Sequence, residues 1–211
     1  MTHLVLLGDS VLDNASYTAG GPCVIDQVRE ILPSGWQATL CAVDGSITDD
    51  VAEQMERLPP DATHLYLCVG GNNALMRSDL LDTPVTSTGE ALLLLYEAAQ
   101  DFEASYRKML APCLQLSLPI VVSTIYYGNF PEEDYQHRVV AALASFNDVI
   151  IRVAAEKHLK IVDIRAICHL PEDFANPIEP SSIGGEKIAG AIVKAVTDPA
   201  IHWSGALLTS S

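Results

Sequence analysis

The sequence predicts a parallel β-sheet covered by helices on both faces. Short apolar runs alternate with longer helix-period segments from one end of the chain to the other, which is the rhythm of an α/β fold. The runs are rich in Val, Leu and Ile with little polar alternation, as strands buried on both faces require. With 211 residues and 49% hydrophobic content, the chain can bury roughly 70% of its unfolded surface without disulfides or metals. Disordered and mini-protein classes are therefore excluded, and a single domain over residues 1–211 is expected.

Taken in order, the first strand is His3 to Leu7, followed by a helix from Pro22 to Leu32. That helix carries an apolar stripe at Val24, Ile25, Val28, Ile31 and Leu32, with Pro22 near its first turn. A second strand, Ala38 to Val43, leads to a short helix from Ile47 to Leu58. Ser46 or Thr48 is the expected cap, and Asp49 and Asp50 suit its positive first turn. The third strand is His64 to Val69, and a long loop from Asn72 to Thr88 precedes a long helix, Gly89 to Leu116. Pro112 must kink or end that helix, and its Leu92 to Leu95 run is assigned to the core. The fourth strand, Ile120 to Thr124, opens into a second long loop, Ile125 to Tyr135. A helix from Gln136 to His158, a fifth strand from Lys160 to Asp163 and a last helix from Gly185 to Val196 complete five strands. Long loops on a rigid α/β scaffold usually shape a ligand site.

Twelve Lys and Arg face 27 Asp and Glu, a formal charge of −15. Such a balance argues against a nucleic-acid backbone or an anionic membrane surface as partner. The longest apolar run, Ala91 to Tyr96, is followed by Glu97 and is far too short to span a bilayer. Met1 leads straight into an apolar stretch with neither a basic region nor a small-residue cleavage site, so a chain that starts there is expected in the cytoplasm. The five cysteines are odd in number, widely spaced and without a Cys-x-x-Cys pair. Buried free thiols in a reducing compartment are expected, and no metal site.

Ligands of open parallel sheets sit outside the carboxyl ends of the strands, which singles out a few residues. Gly8-Asp9-Ser10 follows the first strand, Asp44-Gly45-Ser46 the second, and Gly70-Gly71-Asn72-Asn73 the third. A serine on such a turn can present its hydroxyl to the cleft as a nucleophile, or the tripeptide can simply make a turn and cap a helix. Gly45 allows close approach of its N–H to a developing oxyanion and is equally an ordinary turn glycine. Asn72 can add an amide donor, although an Asn after two glycines also suits a tight turn. Asp9, Asn73 and Tyr126 are candidate pocket residues. Tyr126 and Tyr127, after the fourth strand, line the pocket or pack in the core or at the rim. Asp163 is expected to cap the turn after the last strand.

With these blocks in this order, nearly the whole chain resembles the SGNH, or GDSL-type, hydrolases. The resemblance implies a three-layer α/β/α flavodoxin-like arrangement with a five-stranded parallel sheet. It implies ester hydrolysis with Ser10 as nucleophile and with Ser10, Gly45 and Asn72 forming the oxyanion hole, Gly45 to Thr48 being similar to the second block and Gly70 to Asn72 to the third. No cofactor is implied, and the expected partner is a small ester or acylated substrate. The last block departs from the family pattern. Where the family usually reads Asp-x-x-His-Pro-Ser, this chain reads Asn176-Pro177-Ile178-Glu179-Pro180-Ser181. Aligned on Pro180, Ser181 and the helix that follows, Asn176 falls on the family's Asp and Glu179 on its His.

The two replacements make sense as a pair. A glutamate has acceptors only, so an aspartate beside it would be a like-charge clash, whereas the Asn176 amide can donate to the Glu179 carboxylate and orient it. As a base, an ordinary Glu is about two pKa units weaker than His, an intrinsic loss on the order of tenfold if transfer tracks half the difference. A carboxylate that stays ionised also sets a negative charge near the forming oxyanion. Two readings follow: a serine ester hydrolase with Glu179 as base, and a catalytically silent relative that binds a small acyl or carbonyl ligand. A nucleotide or flavin binder lacks support, because no phosphate-binding glycine motif follows any strand. Of the other histidines, His169 lies between the last strand and Glu179, where it either swings into the cleft or is a surface-loop residue before Pro171, the latter being expected. His3 and His64 begin strands at the far end of the sheet, and His137, His158 and His202 belong to helices or their flanks.

Overall fold

The computed structural model describes residues 1–198 and the backbone of residues 207–208. Strands β1 (Thr2–Gly8), β2 (Trp36–Leu40), β3 (His64–Cys68), β4 (Ile120–Ser123) and β5 (Lys160–Val162) form the parallel sheet, and β6 (Leu207–Leu208) adds two residues at its edge. The order is β2-β1-β3-β4-β5-β6, so the chain reverses its direction of winding between β1 and β3, where a cleft opens at the carboxyl ends of the strands. The helices are α1 (Val24–Ile31), α2 (Val51–Met55), α3 (Gly71–Leu75), α4 (Thr88–Gln115), α5 (Glu133–Glu156) and α6 (Ser182–Thr197).

Alternation along each strand feeds two separate cores. Leu4 and Leu6 point to the face covered by α1 and α6, where they join Val24, Val28, Ile188 and Ile192. Val5 and Leu7 point to the opposite face and meet α4 and α5 through Phe102, Leu110, Phe146 and Ile150. All of these side chains are at least nine-tenths buried, which makes the hydrophobic effect the principal drive for both layers. The three-layer α/β/α architecture is thus the one expected from the sequence, with the terminal strand added.

Several boundaries and roles differ from expectation. Strand β2 starts two residues earlier and stops at Leu40, because Cys41 and Ala42 both donate to the Leu6 carbonyl and turn the chain. The segment from Ile47 to Leu58 is a single 3-10 turn, Thr48–Asp50, continued by α2. Neither Ser46 nor Thr48 caps it: the Ser46 hydroxyl accepts from Gln54 Nε2 and the Thr48 hydroxyl from Asn73 Nδ2, while Asp50 takes the Ile47 N–H. The stretch from Asn72 to Thr88 is not a bare loop, since it contains most of α3 and a 3-10 segment, Ser78–Asp82. Helix α4 runs three residues past Pro112 before it ends. Leu92 and Leu93 are 61% and 55% exposed rather than core, because four successive helical positions sweep nearly a full turn and cannot all face inward. Four of the five cysteines are buried free thiols, and Cys23 is half-buried.

Asn147 of α5, fully buried, fixes the loop that leaves β4. Its Oδ1 accepts from the Ile125 N–H at 2.7 Å and its Nδ2 donates to the Ile125 carbonyl at 2.8 Å. Substituting Asn147→Leu leaves both backbone groups buried and unpaired, so urea denaturation is expected to show a loss of about 2–4 kcal/mol. Unchanged stability would mean that the loop finds other partners.

Candidate active site

The turn after β1 is held from three directions. Gly8 has φ +145°, and a Cβ at that position would lie 1.8 Å from the Cys68 carbonyl oxygen, so only glycine lets β1 and β3 meet this closely. Gln54 of α2 clamps the same residue, accepting from its N–H at 2.8 Å and donating to its carbonyl at 2.7 Å. The Asp9 N–H then donates to Cys68, and the N–H groups of Leu12 and Asp13 donate back to the Asp9 carbonyl. Ser10 sits in this turn with 6% exposure. Its Oγ donates to Glu179 Oε1 at 3.1 Å across 169 residues of sequence.

The loop that carries Glu179 is equally constrained. Ala175 N–H donates to the Glu179 carbonyl at 2.9 Å, Asn14 Nδ2 donates to the Pro180 carbonyl, and Ser181 caps α6 through the N–H groups of Ile183 and Gly184. The Tyr126 hydroxyl donates to the Ile178 carbonyl at 2.6 Å. Asn176 acts in a different way from that expected. Its Oδ1 accepts the N–H of Ile178 at 3.0 Å and of Glu179 at 2.9 Å, while the second Glu179 oxygen, Oε2, has no hydrogen-bond partner among the described residues. Asn176 therefore positions Glu179 through its backbone and does not donate to the carboxylate. The reason is local: an Asn side chain turned toward the N–H two and three residues ahead forms an Asx-turn, which competes with any longer reach.

Asn72 lies at the start of α3 and donates through Nδ2 to the Ser46 carbonyl at 2.9 Å. That bond joins the third block to the second. Gly45 occupies an exposed turn with φ +81°. Among the described residues, no protein acceptor takes the N–H of Ser10 or of Gly45. Asp9, Ser10, Asn72, Tyr126 and Glu179 share the wall of one cavity. Gly45 and Asn73 are not part of that wall. Asn73 instead pins the 3-10 turn, accepting from the Thr48 N–H and donating to the Thr48 hydroxyl, because its neighbour Asn72 takes the inward position on the short helix. None of His3, His64, His137, His158 or His169 lines the cavity, and His202 lies outside the described residues. Asp163 accepts from the Arg165 N–H as a cap, and also from the Arg165 guanidinium and the Thr124 hydroxyl.

Burial dominates the electrostatics. It pushes Asp9 from its ordinary 3.8 up to about 7, opposed by the Val11 and Gly70 N–H groups and assisted by the charge of Glu179. Glu179 is raised too, first by burial and then by Asp44, against the lowering effect of the Ser10 hydroxyl. Tyr17, which donates to Asp44 at 2.7 Å, is pushed up to about 12 mainly by that bond.

With the site's geometry in view, comparison with known proteins is decisive at the family level. The model of the GDSL-like lipase/acylhydrolase family matches residues 6–184, which include both Ser10 and Glu179. The chain belongs to the GDSL-like lipase/acylhydrolase family. No curated protein sequence matches it. Among solved structures, an extracellular lipase from Streptomyces rimosus superposes with a TM-score of 0.68 at 17% identity, over 92% of this chain and 100% of that one. A phospholipase A1 from Streptomyces albidoflavus gives 0.64 at 17% identity, over 93% and 99%. An acetyl xylan esterase from Geobacillus stearothermophilus gives 0.65 at 19% identity, over 93% and 94%. These likenesses establish the shared SGNH-type fold.

The sequence reading missed the residues that hold the site rather than line it. Gln54, Asn14 and Asn147 carry no motif. Gln54 could have been noticed as a polar residue inside the apolar stripe of Val51, Met55 and Leu58, since a buried amide on a core face must have a dedicated partner.

Because Asp9 is ionised in the unfolded chain above about pH 4 but neutral in the fold up to about 7, stability falls as pH rises through that window. The shift corresponds to about 4 kcal/mol at most. Asp9→Asn keeps an acceptor for the Val11 N–H and is expected to raise stability by up to that amount at pH 8, with little change at pH 3.5. Equal urea midpoints for parent and variant at pH 8 would refute the burial of an uncompensated carboxyl.

Proposed function

We propose that the protein hydrolyses carboxylic esters through an acyl-serine intermediate, with Ser10 as nucleophile and Glu179 in the role usually taken by histidine. The observation that carries this reading is the 3.1 Å hydrogen bond from Ser10 Oγ to Glu179 Oε1 inside the cavity wall. Ester chemistry is the family's activity at the coarse level; the residue roles are our own assignment. No metal or organic cofactor enters it, and its partner is a small ester. Five free thiols are in keeping with a reducing, cytoplasmic setting, and no described helix is long and apolar enough to cross a membrane.

The Ser10 proton passes to Glu179 as Oγ bonds to the ester carbon, and the carbonyl electron pair becomes the oxyanion. The Ser10 N–H and the Asn72 amide are assigned to receive that charge, whereas Gly45, the third expected donor, lies outside the cavity wall. Neutral Glu179 then returns the proton to the departing alkoxide, and a water activated by the same carboxylate releases the acid. Asn176 and Tyr126 are positioning residues that fix the loop of Glu179.

Glu179 must be ionised to act as base, so activity rises with pH through its raised pKa, above the ordinary 4.5. Ionisation of Asp9 near 7 adds a second negative charge beside the forming oxyanion and lowers the rate again. The expected profile with p-nitrophenyl esters is a bell centred on the acid side of neutrality, its two limbs belonging to the coupled pair. Asp9→Asn should flatten the alkaline limb. Ser10→Ala should fall to background, and Glu179→Gln should lose about 10²–10⁴ in kcat with little change in KM. A parent indistinguishable from Ser10→Ala at every pH overturns the enzyme reading, and a gain on Glu179→His in that case identifies a silent scaffold.

A further inference from the structure

The Ser10 N–H and the Asn72 amide are a thin set of donors for a full negative charge in a dry site, where each donor is worth on the order of 10²–10³ in rate. The Asn72 amide, moreover, already gives one of its two N–H bonds to the Ser46 carbonyl. Asp9 stands where it can complete the set. It lines the cavity beside Ser10 and is 3% exposed. Its Oδ1 accepts the Val11 N–H at 3.1 Å, which fixes the carboxyl group. Its Oδ2 lies 3.9 Å from the point where a Cβ on Gly71 would stand, and Gly71 is a wall residue next to Asn72. The carboxyl thus reaches from the Ser10 turn toward the third block, and the glycine leaves Oδ2 unscreened on that side. The groups that face Asp9 are Glu179, Cys68 and Tyr126. Burial holds the Cys68 thiol and the Tyr126 phenol well above their ordinary values and therefore neutral, and Arg77 on the same wall is turned to Asp101. A buried carboxyl with no cation against it keeps its proton, here up to about pH 7.

Resting on the assignment of Ser10 as nucleophile, we propose that Asp9, as the neutral carboxylic acid, is the third donor of the oxyanion hole and takes the place expected of Gly45. Its O–H donates to the carbonyl oxygen of the bound ester. As Ser10 Oγ bonds to the carbonyl carbon and the C=O electron pair moves onto oxygen, that hydrogen bond becomes charge-assisted and strengthens, while the proton stays on Asp9. The bond is made best in the transition state, which is what makes Asp9 a catalytic residue and not a bystander that must merely stay uncharged. Ionisation turns the same group from donor to acceptor, so it removes a stabilising contact and adds a repelling charge in one step.

Two variants separate donation from neutrality, since leucine carries neither charge nor donor and asparagine carries a donor at every pH. With p-nitrophenyl acetate at pH 6, Asp9→Leu is expected to lose about 10²–10³ in kcat with little change in KM, and Asp9→Asn to recover at least about tenfold of that loss. Equal kcat values for the folded Leu and Asn variants overturn the proposal, because neutrality alone would then suffice. Asp9→Leu also leaves the Val11 N–H without its acceptor, so a second measurement avoids that variant. The infrared carbonyl stretch of 2-butanone added to Ser10→Ala is expected to include a bound band that lies lower at pH 6 than at pH 8.5, and Asp9→Asn in the same background should hold the low position at both. A spectrum identical at pH 6 and pH 8.5 in Ser10→Ala overturns the donor role. The low band at pH 6, in a protein whose parent hydrolyses no ester, keeps Asp9 as a carbonyl donor and removes Ser10 as nucleophile.

Discussion

Two carboxyl groups, Asp9 and Glu179, are buried in the same wall as Ser10, with no cation set against either. Among the described residues, the positive side chain on that wall is Arg77, and it is paired with Asp101. Arg165 and Asp163 pair behind the wall residues Thr124 and Tyr127, and Lys187 pairs with Asp173; none of these four lines the cavity. A buried carboxyl without a cation answers by holding its proton, and both groups are displaced in that direction. The whole site is organised around this uncompensated acidity. It explains why the loops on either side are tied so firmly, because each must resist relaxing toward water.

Side-chain amides supply most of that resistance. Gln54 clamps Gly8 on both its backbone groups, Asn147 does the same for Ile125, and Asn14 links the Val24 N–H to the Pro180 carbonyl. Each is buried, so each bond is made in a medium where losing it costs far more than it contributes on balance. The result is that the Ser10 turn and the Glu179 loop meet at 3.1 Å although no secondary structure connects them. Gly8 completes the arrangement by letting the first and third strands approach more closely than any side chain allows.

What the sequence made legible follows from this division of labour. The strands and long helices are written in apolar periodicity, a redundant signal that survives errors of two or three residues at each boundary. Gly8-Asp9-Ser10 was legible because a glycine, an acid and a hydroxyl at a strand end form a local pattern. The amide clamps were not, since a glutamine or asparagine has no period and its partners lie 10 to 166 residues away. Asn176 shows the same limit in another form. Its alignment suggested a bond to a side chain, whereas the nearer backbone N–H groups won the competition. Leu92 to Leu95 failed for a geometrical reason, since a continuous apolar run on a helix necessarily turns part of itself outward.

In the proposed mechanism, a glutamate base changes the charge arithmetic of acyl transfer. With a neutral imidazole, proton transfer creates a cation and an oxyanion together, so the enzyme must stabilise a new ion pair. With Glu179 the site carries one negative charge before the step and one after it, moved from a carboxylate to the oxyanion while the carboxyl becomes neutral. The charge lost is one that burial disfavours, given that desolvation is the first cause of the raised Glu179 pKa. Relief of that strain offsets part of the intrinsic weakness of a carboxylate as a base. The arrangement works only while the neighbouring acid remains neutral, because a second fixed negative charge would oppose the oxyanion at close range in a low dielectric. Asp9, held near 7, meets that condition on the acid side of neutrality. The unpaired Oε2 of Glu179 belongs to the same logic: a donor placed there would stabilise the ionised carboxylate and lower its basicity.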